Sequence, residues 1–273
     1  MGEAVKETPK PTARSKAKGK SRIHTLDELR GFAVFCMIFY HAFFSIGVFF
    51  GVKWGVTLIN FFSPAEPYFA GLFIFISGIS SQLSHSNLER GVKLMIIALG
   101  ISLVTYLVLG DKEMIRFGIL HMLAVCMITF GLIEKYLKII PMWIGIIFNI
   151  LLFAVTYNVV LGYIGLPFIF SYKLPPEWYT TSFMFPFGFP NRTFSSSDYF
   201  PLLPWFFLFF AGTFLGRLAA TNKFPKFMYK KRIPFLSFMG RHALIIYIAH
   251  QPVIWGICYA VQWVIKLFSK GGA

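Results

Sequence analysis

The sequence predicts an all-α membrane protein, a single bundle of about seven transmembrane helices, and three observations carry that expectation. The 273 residues are 56% hydrophobic and only 14% charged, against roughly a quarter charged in soluble domains. Windows of about 17–25 mostly apolar residues, the length that crosses a hydrocarbon core, recur along the chain. Lys and Arg also concentrate in alternate connecting segments, as the positive-inside rule requires.

The elements follow in order. Residues 1–22 are rich in Lys, Pro, Ala and Ser and lack the apolar core of a signal peptide, so they read as a retained, disordered cytoplasmic tail. Its basic residues would be drawn to anionic headgroups. Nucleic-acid binding is the competing reading of such a tail, but no reader module follows it. Residues 23–268 form one membrane domain, with spans expected at 29–50, 67–83, 92–109, 117–133, 140–161, 202–220 and 243–268. With the amino terminus inside, seven crossings put Arg30, Arg90, Lys93, Lys135, Lys138 and the basic stretch from Arg217 to Arg241 on the cytoplasmic side. The carboxyl terminus then lies outside, and the location is the cell membrane. Between the fifth and sixth spans, residues 162–200 carry five prolines and many aromatics. That segment is too apolar to float in water and is expected to pack over the outer mouth as a lid.

Cys36, Cys126 and Cys258 fall inside spans with no metal-ligand spacing and read as small apolar core residues. No metal site is expected. Asn191-Arg192-Thr193 is a glycosylation sequon on the outer side, meaningful only in a host that glycosylates. Ser77, Gly78 and Ser81 suit close helix packing.

The first helix holds the chemistry. Thr25-Leu26-Asp27-Glu28 matches a capping box, placing two acids in the first turn. Arg30 and His41 lie eleven positions apart, about three turns or 16 Å, and so share one face. Arg30 alone could be a headgroup anchor, and His41 alone a helix–helix hydrogen bonder. An ionisable ring near the bilayer midplane is nonetheless a functional-site candidate by default.

The Leu26-Asp27 and Arg30-Gly31 pattern followed by His41 resembles the first helix of the membrane-bound acyltransferases, the acyltransferase-three superfamily. Four further stretches follow in order: Phe75 to Gly78, Arg116 to His121, Asp198 to Trp205, and Gly240 to Tyr247. Together they resemble the heparan-alpha-glucosaminide N-acetyltransferase catalytic-domain family in its short prokaryotic form. The resemblance implies transfer of an acyl group, acetyl above all, from acyl-coenzyme A to an extracytoplasmic sugar or similar small acceptor. The lysosomal enzyme of that family carries a polar non-histidine residue at the place of His41 and takes its histidine from the loop beyond. Here residues 47–55 contain none, so the acyltransferase-three pattern fits the first helix better.

Physics allows the mapping. The coenzyme phosphates would rest near Arg30, with Arg217, Arg241 and His242 as further partners, and the pantetheine arm, about as long as three helical turns, would bring the thioester to His41. His41 would act as general base or be transiently acylated. His121 and His250, the latter followed by Gln251-Pro252, are further catalytic candidates or core hydrogen bonders. Asp198 could orient the acceptor or a histidine, or cap the sixth span; Arg116, just ahead of His121 on the outer side, is the other substrate-binding candidate. Two other classes remain open: a transporter or channel with a path through His41, His121 and His250, and a membrane scaffold. Oligomeric state is not encoded in these patterns.

Overall fold

The computed structural model describes residues 22–166 and 168–270; most of the basic tail therefore lies outside the described residues. Seven helical runs are long and apolar enough to cross a membrane: 24–49, 53–81, 87–109, 119–137, 142–161, 202–220 and 243–268. Among the described residues the sheet content is one two-stranded hairpin. The all-α bundle expected from the sequence is the fold observed.

The helices are α1 (His24–Phe44), continued by a π-helical turn (Ser45–Phe49), α2 (Lys53–Phe62) and α3 (Glu66–Ser81), then α4 (Asn87–Leu109), α5 (Ile119–Leu137), α6 (Met142–Thr156), α7 (Leu202–Ala220), α8 (Pro234–Arg241) and α9 (Ala243–Lys270). Their starts obey local chemistry. Ser86 accepts the Glu89 N–H at 3.3 Å to cap α4, and Pro67 and Pro234 occupy the first turns of α3 and α8, where a missing N–H costs nothing. Gly110, at φ +81°, ends α4.

Helices α5 and α7 form the centre, with about half of their most apolar windows buried, whereas α4 and α9 bury only 6% and present their apolar faces outward. Phe130, Phe209, Ile74 and Met122 are fully buried where α3, α5 and α7 meet. Glycine permits the tightest crossings. A Cβ on Gly31 would lie 1.9 Å from the Leu236 carbonyl oxygen, and one on Gly240 1.8 Å from that of Asp27, so α1 and α8 touch backbone to backbone. Gly78 of α3 and Gly212 of α7 make an equivalent crossing.

Two local expectations are corrected. Thr25 and Glu28 do not form a capping box: Ile23 precedes α1 without a side-chain cap. The Glu28 carboxylate instead accepts the N–H groups of Arg232 (2.6 Å) and Ile233 (2.9 Å). The unpaired amides entering α8 lie within its reach, and a charge-assisted tertiary cap outcompetes the local one. Residues 47–55 are not an open loop either. The π-turn and α2 pack through Gly47 and Gly55, where a Cβ on Gly47 would sit 2.6 Å from the Val56 amide nitrogen.

The segment 162–200 is partly ordered by its own backbone. Tyr163–Leu166 pairs antiparallel with Phe170–Lys173, 3₁₀ turns follow at Pro176–Tyr179 and Phe185–Phe187, and Phe185 stacks on Phe194 at 4.9 Å. Its end is tied to the head of α5, the Phe200 N–H donating to the Phe117 carbonyl at 3.0 Å.

The α1–α8 crossing leads to a stability prediction. Gly240→Ala should destabilise the purified protein by about 1–3 kcal/mol, because its clash is with backbone and no rotamer relieves it. Gly100→Ala, a site with open space around it, should be neutral or stabilising by up to about 1 kcal/mol. Thermal unfolding in detergent checks both.

Candidate active site

Two cavities flank the middle of α1. The larger, of about 780 Å³, opens at the Arg30 end. Arg22, Arg30, Arg90, Lys93 and Arg241 line it against one carboxylate, Asp27. Asp27 pairs with Arg22 at 2.7 Å and with Arg30 at 3.5 Å. Arg30 also donates to the Ser80 hydroxyl. Ser80 gives its own proton to the Ile76 carbonyl at 2.8 Å, which leaves an oxygen lone pair facing the guanidinium. Four cations exceed the one acid's compensation, so the chamber attracts an anion. Further in, its wall turns apolar, with Phe73, Ile97, Leu120, Leu123 and Met127.

The smaller cavity, of about 230 Å³, holds His41, Tyr40, Glu66 and Asp198. Phe73 and Tyr247 line both cavities and stand at their boundary. Asp198 comes from the end of the 162–200 segment and accepts from the Tyr247 hydroxyl (2.7 Å) and the Ile119 N–H (3.1 Å). It thus caps α5 rather than α7. Burial pushes its carboxyl above the usual carboxylate range, with the Tyr247 and Ile119 hydrogen bonds pulling it partly back.

His41 sits on α1 beside α9. Its Nδ1 lies 3.3 Å from the Gln251 amide nitrogen, and the Gln251 oxygen is 3.3 Å from the hydroxyl of the fully buried Ser45. The His250 ring is centred 5.0 Å from that of His41. His250 Nδ1 meets the Tyr247 carbonyl at 2.5 Å, and its buried Nε2 has no partner among the described residues.

The other sequence candidates lie apart from both chambers. His121 Nδ1 accepts the Gly118 N–H at 3.3 Å, and its Nε2 meets the Ser102 hydroxyl at 3.2 Å, so both nitrogens are committed at the head of α5. Arg116 binds Asp111 at 2.8 Å and the Ser195 carbonyl at 3.1 Å, fastening the 162–200 segment. Arg217 donates to the carbonyls of Leu137 and Ile140, each at 2.7 Å, and so caps the end of α5. His242 lies against its own turn, with Nδ1 2.9 Å from the Phe238 carbonyl. Of the four residues expected near phosphate, only Arg30 and Arg241 line the basic cavity.

Sequence reasoning missed Glu66, Tyr40, Gln251 and Ser80. Glu66 carried a usable signal, an acid at the head of an otherwise apolar span. Ser80 carried none, since serines in membrane helices commonly bond their own backbone.

Seven helices able to cross a membrane, with a basic cavity and a histidine-lined cavity that share Phe73 and Tyr247, define a multi-pass membrane protein with two adjoining polar chambers. The family model described as "Heparan-alpha-glucosaminide N-acetyltransferase, catalytic" matches residues 22–252. The chain belongs to that family, and it is accordingly a membrane transferase of an acetyltransferase family. No curated protein and no solved structure matched the chain.

The raised Asp198 carboxyl gives a pH signature. A group whose folded pKa exceeds its unfolded one contributes stability at low pH that is lost as pH rises through the folded value. Asp198→Asn removes this dependence, so the variant's thermal midpoint should gain on wild type as pH goes from about 4 to 8. Parallel unfolding curves at both pH values check the sign.

Proposed function

We propose that the protein transfers a short acyl group, acetyl in the first instance, from acyl-coenzyme A in the basic cavity to a saccharide acceptor in the His41 cavity. The observation that carries this reading is the meeting of the two chambers at Phe73 and Tyr247. A donor with an anionic head and a thin arm suits a cavity lined by both cationic and apolar side chains. Arg30 to His41 spans about 16 Å along α1, comparable to the pantetheine arm.

In this scheme Arg30, Arg90, Lys93 and Arg241 bind the phosphates from the cytosolic side, the side favoured by the basic connecting segments. Glu66, Asp198 and Tyr40 accept or exchange hydrogen bonds with the sugar. His41 takes a proton from the acceptor hydroxyl or amine as its oxygen or nitrogen attacks the thioester carbonyl. The C–S bond then breaks, and the imidazolium returns the proton to the leaving thiolate. Confinement excludes water, which would otherwise hydrolyse the thioester. His250 backs the His41 ring, and His121 and Arg116 hold the frame. A histidine path for transport is less well supported, since both His121 nitrogens are committed to local bonds.

Purified protein should bind acetyl-coenzyme A and release coenzyme A when a hexosamine or other sugar acceptor is supplied. His41→Ala should lower turnover by about 10²–10⁴-fold with donor binding intact. Arg90→Gln should weaken donor binding about 10–100-fold, the worth of one charge-assisted phosphate contact, and change saturated turnover little. Calorimetry and a thiol-release assay separate the two effects. Absence of donor binding by folded wild type would overturn the reading.

A further inference from the structure

A general base must present a lone pair to its substrate, and an imidazole has one to offer only on the nitrogen that does not carry the proton. His41 lines the smaller cavity, and its Nδ1 lies 3.3 Å from the amide of Gln251 on α9, a residue outside that cavity's lining. Nε2 is then the nitrogen available for chemistry, so the proton must reside on Nδ1. What holds it there is the amide of Gln251.

Two orientations of that amide satisfy the same contacts. In one, the amide N–H donates to Nδ1 and the Ser45 hydroxyl donates to Oε1; Nε2 then carries hydrogen and cannot accept a proton. Turning the amide by 180° reverses both bonds. Nδ1–H donates to Oε1, and the amide N–H donates to the Ser45 oxygen, because a hydroxyl both donates and accepts. Both contacts persist, and Nε2 now offers its lone pair to the cavity. Ser45, fully buried at the start of the π-turn one helical turn beyond His41, gives the amide its second anchor.

We propose that Gln251, seated by Ser45, is a positioning residue that holds His41 in the Nδ1–H form and leaves Nε2 free to take the acceptor proton. This rests on His41 being the base and adds residues from α9 and the π-turn to the site. The neutral amide also orients the ring without fixing a charge beside it. The titratable groups around His41 are Tyr40 from its own helix, Glu66 from α3, Asp198 from the 162–200 segment, and Tyr247 and His250 from α9. None of these is recorded in a hydrogen bond to Nδ1. The same requirement holds whether Nε2 removes a proton or itself attacks the thioester.

The test joins kinetics to a readout that needs no turnover. Gln251→Leu suits an apolar helix but leaves the Ser45 hydroxyl without its partner, so the thermal midpoint should fall modestly. The KM for acetyl-coenzyme A should stay at the wild-type value while kcat falls on the order of 10²-fold. Gln251→Glu retains an acceptor for Nδ1–H and should restore much of kcat. Its carboxylate favours the imidazolium, so the acidic limb of the pH–rate profile should move to higher pH. A residue needed only for packing would not move that limb. Nitrogen-15 NMR of histidine-labelled protein, with His41→Ala for assignment, should show His41 protonated at Nδ1 in wild type and shifted toward Nε2–H in Gln251→Leu. A folded Gln251→Leu with wild-type kcat, or a wild-type spectrum with the proton on Nε2, overturns the proposal. Failure of folded wild type to turn over acetyl-coenzyme A would instead overturn the functional reading, with NMR still deciding the tautomer.

Discussion

The arrangement depends on the backbone contact between α1 and α8. Gly31 and Gly240 let the two helices meet with no side chain between them, and Glu28 adds a charge-assisted tie to the amides that enter α8. This crossing sets the rotation of α1 about its own axis. Once that rotation is fixed, Arg30 faces the chamber that Arg241 closes, and His41, three turns on, faces the space between α3, α9 and the 162–200 segment. A larger residue at either glycine would part the helices and separate the two sides of the basic chamber. Packing is therefore the first condition of the chemistry.

Polar and ionisable groups inside a bilayer need a partner or a cavity, and most of the expensive groups here have one or the other. Arg30 has Asp27 and Ser80. Asp198 has Tyr247 and the amide of Ile119. Gln251 lies between His41 and Ser45. These pairs link α1 with α3 and α9, and the 162–200 segment with α5 and α9, so the polar network ties several elements together. Helix α9 illustrates this: most of its surface faces outward, and Tyr247 and Gln251 add polar ties to the ring contacts of Trp255 and Tyr259 with Phe49 and Phe50. The groups that would handle substrate thus also dock this helix.

The seven spans were legible in the sequence because apolar runs of the right length have few alternative uses. The shared face of Arg30 and His41 followed from helical spacing alone, and the structure puts both residues on cavities. Which other side chains join them was not legible. Arg217 and Arg30 are both basic residues near a helix end, yet one caps carbonyls of α5 and the other lines the chamber. Composition cannot tell these fates apart, since the choice depends on which orphan carbonyls come within reach after packing. The Thr25–Glu28 motif misled for the same reason: the amides entering α8, some two hundred residues away, bind the carboxylate instead. Gln251 and Ser45 are likewise ordinary residues until the chain folds.

Tyr247 carries the remaining step of the argument. It lines both chambers, and its hydroxyl proton is committed to Asp198, a residue contributed by the outer segment. In the proposed reaction, an acceptor that engaged Asp198 would compete with the bond that holds the tyrosine at the boundary. Such a boundary would matter to that reaction, because a thioester standing next to an open aqueous mouth would be lost to water.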